Sequence, residues 1–329
     1  MIVTEAIYNQ ETLIQYYQEV QSPLYVGIDG LRYTLSTEKY LDTVKPSGVI
    51  IMGGNIQSQE QLSDLISDIH SYAKSKGITI KVAIDEEGGL VSRLKALPSY
   101  PKDFKGVNEK NPAKTQQQIK LLQQIGIDIN FAPVADVAYT SESVMKERSG
   151  GDTPEKVAEK ALAYSKSLIE KGIAPTLKHF PGLGRTNKDT HLDKVEVEIS
   201  LEDWIKTDAI PYTKAQETLS QFNVMLGHVT YPQIDKYPAS ISSKWVSILR
   251  NNIGFKGIIF TDDLKMQGLS GDASKYKCNT LNLSDEEYAI PVTIKQAKEA
   301  GVNHPLIILT QSQTQEVFSD WIRIEKDCR

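Results

Sequence analysis

Eight short apolar runs recur along the chain with amphipathic stretches between them, and this alternation constrains the fold more than any other feature. The runs are PLYVGID (23–29), SGVIIM (47–52), ITIKVAI (78–84), DINFAPV (128–134), IAPTL (173–177), VMLGHV (224–229), GIIFT (257–261) and PLIILT (305–310). Amphipathic segments fall at 58–74, 113–125, 154–171, 201–219, 241–251 and 286–300, with a weaker one at 34–43 and a terminal one at 313–324. Strands alternating with helices argue for a parallel sheet, because a parallel connection must cross back over the sheet. A (β/α)8 barrel of TIM type occupies roughly 250 residues, so 329 residues hold one with loop insertions. The competing doubly wound sheet is disfavoured, since no G-x-G-x-x-G follows the first run. With no linker and no internal repeat, one domain spanning 1–329 is expected.

Charged residues collect at one end of these runs. Asp85-Glu86-Glu87 follows the third, Arg148 lies in the loop after the fourth, and Lys178-His179 closes the fifth. His228 stands near the end of the sixth, and Asp262-Asp263 closes the seventh. At the opposite ends only Asp128 and Lys256 stand out. In a barrel the C-terminal strand ends share one rim, where such folds keep their active sites. Each residue also has a structural reading. The acidic triplet can cap a helix, Arg148 can make an exposed pair with Glu147 worth little, Asp262-Asp263 can cap the next helix, and His228 can be a satisfied core histidine. His70 and His304 are not expected to take part. Together the rim residues favour a site.

The stretch IAPTLKHFPGLGRTNKDTHLD (173–193) is the most informative. It runs from a buried strand through Pro181, Gly182 and Gly184 into a polar loop carrying Asp189-Thr190-His191. In extended chain, alternate residues share a face, so Asp189 and His191 can point the same way. A carboxylate beside an imidazole fixes its tautomer and raises its basicity, as a proton-transferring histidine requires.

Bulk composition excludes several classes. The balance of 37 Lys+Arg against 42 Asp+Glu gives −5 with no basic block, which argues against nucleic acid or an anionic membrane as partner. No apolar run approaches a membrane span. The N-terminal stretch lacks a signal-peptide pattern, so a cytoplasmic location is expected, or a periplasmic one if a leader has been trimmed. Two cysteines, Cys278 and Cys328, are too few for a disulfide framework. No metal-ligand spacing and no phosphate-cradling glycine loop occur, so neither metal nor cofactor is expected.

The segments IDEEGGLVSRL (84–94), NFAPVADV (130–137), KERSGG (146–151), KHFPGLGRTNKDTH (178–191), GHVTYPQID (227–235) and FTDDLKMQGL (260–269) resemble glycoside hydrolase family 3. The likeness is to its single-domain β-N-acetylhexosaminidase branch, and the motifs run in the family's order over most of the chain. The resemblance implies retaining, two-step removal of terminal N-acetylglucosamine from muropeptides by a monomer acting on a small carbohydrate. It implies Asp262 as nucleophile, His191 as acid/base with Asp189 as its partner, and Asp85, Arg93, Arg148, Lys178 and His179 as residues that hold the sugar. Asp263 is expected to be structural.

Departures from the family pattern lead to further expectations. Leu183 stands where the family has His in PGHG, which would alter loop anchoring. Leu90 replaces an Arg, which would loosen a contact near the site. A polar insertion at 270–288 and the run AGVNHPLII make the last βα unit irregular, and Pro305 fits a strand only at its start or on an edge. Two alternatives follow. One is a phosphorylase on the same scaffold, since a neutral imidazole repels an incoming anion less than a carboxylate does. The other is a non-catalytic amino-sugar-binding protein.

Overall fold

The computed structural model describes residues 21–188, 194–266, 269 and 285–327. Eight parallel strands close into a barrel: β1 (Ser22–Gly27), β2 (Pro46–Ile51), β3 (Lys81–Ile84), β4 (Ile129–Asn130), β5 (Ala174–Phe180), β6 (Asn223–Leu226), β7 (Ile259–Asp263) and β8 (His304–Ile307). β8 returns to β1 with Tyr25 opposite Leu306 and Val26 opposite Ile307. The helices of the outer ring are α1 (Leu35–Val44), α2 (Gln59–Ser75), α3 (Pro112–Ile125), α4 (Pro154–Ile169), α5 (Leu201–Lys206), α6 (Ile210–Thr218), α7 (Ser243–Asn251), α8 (Asp285–Ala300) and α9 (Gln311–Asp327). The expected α/β barrel is present, and its last strand closes it despite Pro305. That proline is the second residue of β8, near the start, where a missing N–H does least harm to a ladder.

Local chemistry explains the element boundaries. Ser58 Oγ accepts from the Gln61 N–H at 3.1 Å and starts α2. α2 then buries Leu62, Leu65, Ile66 and Ile69 along one stripe. Asn111 caps α3 ahead of Pro112, and Gly126, at φ 88, ends it in the left-handed region. Three expected elements are shorter than their apolar patterns. β4 stops after Asn130, since Pro133 has no N–H for a ladder, and pairing resumes as a single bridge from Val134 to Lys178. The helix expected over 201–219 breaks between α5 and α6, where Asp208 turns inward to Arg185 and Pro211 opens the new helix. β6 ends at Leu226, and Val229–Tyr231 joins a side sheet with Val195–Glu196 and Asp235–Pro238.

Aromatic rings fill the barrel interior. The Phe260 ring lies edge-on to Tyr25 at 4.9 Å and to Phe131 at 5.1 Å. A Cβ on Gly48 would stand 2.1 Å from the Tyr25 ring, so β2 gives up a side chain to seat it. Each buried large apolar side chain contributes about 1.5–3 kcal/mol. At the N-terminal end, Asp128 accepts from His70 Nε2, Lys81 Nζ and the Val82 N–H at 2.8–2.9 Å. That polar cluster ties β3 and β4 to α2, and it lies at the opposite end of the strands from the rim charges.

Candidate active site

Residues from β3, β4, β5 and β7 meet at the C-terminal rim. Lys178, on β5, is 3 % exposed at its side chain, and its ammonium bonds Asp85 and lies 2.6 Å from Glu87 Oε1. A buried ammonium on its own would shed its proton. Burial does push Lys178 down, but Asp85 and Glu87 outweigh it and hold the group above the usual lysine range. Asp85 responds in kind: burial raises it, and Lys178, Arg93 and Arg148 together hold it below the ordinary carboxylate range. Arg93 Nη2 donates to Asp85 Oδ2 at 3.1 Å. From the β4–α4 loop, Arg148 donates to both oxygens of Glu87.

His179 follows Lys178, and the register with β6 shifts between Lys178 and Phe180. The His179 Nδ1 is 2.7 Å from Asp136 Oδ2. Its Nε2 is 3.4 Å from Arg148 Nη2 and 3.9 Å from Asp262 Oδ2. Asp262, at the end of β7, accepts the Asp263 N–H on Oδ1 at 2.8 Å. Burial raises Asp262, but His179, His228 and Lys178 outweigh it and hold the carboxyl below its ordinary value. These neighbours favour the ionised form of Asp262, the form in which a carboxylate can act as a nucleophile.

Six of the expected residues (Asp85, Arg93, Arg148, Lys178, His179 and Asp262) therefore come together. Asp189 and His191 lie outside the described residues, as does 270–284. Asp263 faces away: its Oδ1 accepts from the Lys265 and Ile308 N–H groups at 3.1 and 3.0 Å. His228 supports that turn, with Nε2 2.9 Å from the Asp263 carbonyl and Nδ1 2.8 Å from Ser240 Oγ. Leu183 is buried in the apolar cluster behind β5, and its N–H donates to Asp136 Oδ1 at 2.6 Å. At this position, where an altered anchoring is expected, the loop is held by that backbone bond. Leu90 is 69 % exposed, and Arg93 makes the contact to Asp85.

Three carboxylates received no role from sequence reasoning. Glu87 pairs with both Lys178 and Arg148. Glu86, fully buried, accepts from the Arg93 and Leu94 N–H groups at 2.8 and 3.0 Å and from the Tyr100 hydroxyl at 2.7 Å, pinning the loop that carries Arg93. Asp136 holds His179. The available signal was a lone acid inside an apolar stretch, FAPVADVA, since a buried carboxylate has to be paired. Among the described residues no group of three or more His, Cys, Asp or Glu is placed to hold a metal. No helix among them is long and apolar enough to cross a membrane.

Comparison with known proteins gives these residues a family. The model of the glycosyl hydrolase family 3 N-terminal domain matches residues 19–317. The beta-hexosaminidase of Idiomarina loihiensis is 35% identical over 261 residues, 76% of this chain and 77% of the relative. That of Nitrosomonas eutropha is 32% identical over 313 residues, 90% of this chain and 83% of the relative. Among solved structures, native NagZ from Neisseria gonorrhoeae matches with a TM-score of 0.72 at 28% identity, covering 92% of this chain and 84% of that one. The same protein has been solved in complex with N-trifluoroacetyl-D-glucosamine. A glycoside hydrolase family 3 beta-N-acetylglucosaminidase from Paenibacillus sp. str. FPU-7 matches with a TM-score of 0.80 at 25% identity over 93% of this chain, which spans 57% of that longer one. The closed barrel, Asp262 on its rim and these matches converge, and the chain is a glycoside hydrolase that belongs to glycosyl hydrolase family 3, among relatives named beta-hexosaminidase.

Proposed function

We propose that the chain is an exo-acting, retaining β-N-acetylglucosaminidase that removes terminal N-acetylglucosamine from muropeptide and peptidoglycan fragments. The observation that carries this reading is the placement of Asp262. Its carboxylate stands 3.9 Å from His179 Nε2, on the rim shared by Asp85, Lys178, Glu87 and Arg148. A pyranose presents hydroxyls and an acetamido group that need both donors and acceptors. Arg93, Lys178 and Arg148 supply donors, and Asp85 supplies acceptors. The N-trifluoroacetyl-D-glucosamine complex of the Neisseria gonorrhoeae relative supports the choice of amino sugar.

In the first step an Asp262 oxygen bonds to the anomeric carbon as the glycosidic C–O bond breaks. Protonated His191 delivers its proton to the leaving oxygen, with Asp189 stabilising the imidazolium. The transition state carries positive charge at the anomeric carbon, which an anionic carboxylate beneath it stabilises. In the second step water attacks the same carbon, His191 takes its proton, and Asp262 leaves. An imidazole with an unperturbed pKa of about 6.5 serves both directions of transfer.

Incubation with a chromogenic β-N-acetylglucosaminide tests the reading. The wild-type chain should release the aglycone, and Asp262→Asn should slow release by about 10³-fold or more. A 5-fluoro glycoside should leave a mass increment on the peptide containing Asp262. Absence of turnover at every pH from about 5 to 8, where histidine titrates, would overturn it.

A further inference from the structure

The carboxylate of Asp136 touches three N–H groups on two sides of the site. Its Oδ2 accepts from His179 Nδ1 at 2.7 Å and from the His179 backbone N–H at 3.2 Å. Its Oδ1 accepts the Leu183 N–H at 2.6 Å. Asp136 is 1 % exposed, so these bonds form away from water and an unmade one would be costly. Leu183 lies at the root of the segment that leads on to Asp189 and His191. One side chain therefore grips both a residue that faces Asp262 and the start of the strand-five loop.

The surrounding backbone reinforces this junction. The Ala135 N–H donates to the Lys178 carbonyl at 2.6 Å, and the Val144 N–H donates to the Thr186 carbonyl at 2.9 Å. A Cβ on Gly184 would stand 1.9 Å from the Val137 carbonyl oxygen, so the loop root lies directly on the chain beside Asp136. The Asp136 carbonyl in turn accepts from Ser149 Oγ at 2.7 Å, next to Arg148. The segment around Asp136 is thus the common support of His179, Arg148 and the loop root.

We infer that Asp136 is a positioning residue that couples the tautomer and orientation of His179 to the seating of the loop root at Leu183. With Nδ1–H held by Asp136, the Nε2 edge of the ring is turned toward Arg148 Nη2 at 3.4 Å and Asp262 Oδ2 at 3.9 Å, so Asp136 sets which edge of His179 faces the site. A loop root that lifts off Asp136 withdraws one of the bonds that orient the carboxylate against His179. Loop placement and His179 geometry then change together. The activity arm of the test rests on the proposed function; the two spectroscopic arms do not.

The test uses isotope-labelled full chain and the Asp136→Asn variant. In the wild type, the His179 ring, assigned by its loss in His179→Gln, should be protonated at Nδ1. In Asp136→Asn, a competing amide donor disturbs both contacts. The His179 ring signal should shift, and the Leu183 and His179 amides should exchange about tenfold faster or more, while amides of β1 stay protected. Turnover of the chromogenic glycoside should fall about tenfold or more, and Asp136→Asn/His179→Gln should be no slower than His179→Gln, as expected for groups acting as a unit. An Nε2–H tautomer in the wild type overturns the inference, and that measurement needs no variant to fold. Unchanged Leu183 exchange in a folded Asp136→Asn overturns it too. A wild type that turns over no glycoside refutes the proposed function alone, and leaves the tautomer and exchange results to decide this inference.

Discussion

Arg148 meets Glu87 edge to edge: Nε lies 2.9 Å from Oε2 and Nη2 lies 2.7 Å from Oε1. The pair is largely buried, with 18 % and 6 % of the two side chains exposed. Such a fork fixes the guanidinium plane, which a point-charge ammonium cannot do. That plane also sets the Arg148 contacts to Met145 Sδ at 3.8 Å and to His179 Nε2 at 3.4 Å.

Arg148→Lys should therefore be worse than its conservative charge suggests. Losing one charge-assisted bond costs about 1.5–3 kcal/mol, and the shorter ammonium no longer holds its angle toward His179. Arg148→Ala should cost up to about 3–5 kcal/mol, since it removes one partner of a buried pair, with Lys178 still compensating part of the Glu87 charge. Urea denaturation gives the stability, and calorimetry with N-acetylglucosamine gives the binding. A lysine variant equal to wild type in both would show that the fork contributes nothing.

A second prediction concerns Gly184, at the loop root. An added Cβ would lie 1.9 Å from the Val137 carbonyl oxygen and 2.5 Å from its carbon. Backbone atoms cannot rotate aside as a side-chain tip can. Gly184→Ala should thus lower stability by about 1–3 kcal/mol, the usual cost of overpacking, and reduce glycoside turnover by displacing the root. Gly53 is the control, because a Cβ there meets nothing within 4 Å. Gly53→Ala should stay within about 0.5 kcal/mol of wild type. Equal behaviour of the two variants in thermal denaturation would refute the steric argument.

The barrel was legible because its signal is periodic and local: each apolar run and each amphipathic stretch announces itself within about ten residues. The rim was legible for a related reason, since charges at strand ends such as Asp85, Lys178 and Asp262 interrupt that pattern visibly. Asp136 and Glu86 were not assigned roles, because their meaning lies in partners distant along the chain or in the turn of a loop. Asp136 finds His179 forty-three positions away, across a pairing that no periodicity encodes. The break between α5 and α6 was missed on similar grounds, as Asp208 turns inward to an arginine from the strand-five loop. His228 shows the converse error risk: it sits among the rim charges, yet bonds from both ring nitrogens go to Ser240 and the Asp263 carbonyl. Position alone cannot separate a supporting histidine from one that touches substrate.

The last prediction is a pH dependence that originates at Asp263. Burial pushes its carboxyl up to about 6, against the pull of the Ile308 and Lys265 N–H groups and with a further push from the neighbouring Asp262 charge. A carboxyl whose folded value exceeds its unfolded value of 3.8 holds its proton longer in the native state. Between about pH 4 and pH 6 the folded chain then binds more protons than the unfolded chain, so this group's contribution to stability falls as the pH rises. Above that window the penalty is fully present, with a ceiling of about 3 kcal/mol at 1.36 kcal/mol per pKa unit, reduced by the solvent that still reaches the residue. Asp263→Asn removes the charge while its amide oxygen can still accept from Ile308 and Lys265. The variant should gain stability relative to wild type at pH 7 and lose that advantage at pH 4, as read from thermal midpoints at the two pH values. The comparison must be a difference between the two proteins, because Asp85 and Asp262, whose values are lowered, make the whole chain more stable as the pH rises through their own range. A difference that is the same at both pH values would mean that Asp263 is ionised at no cost.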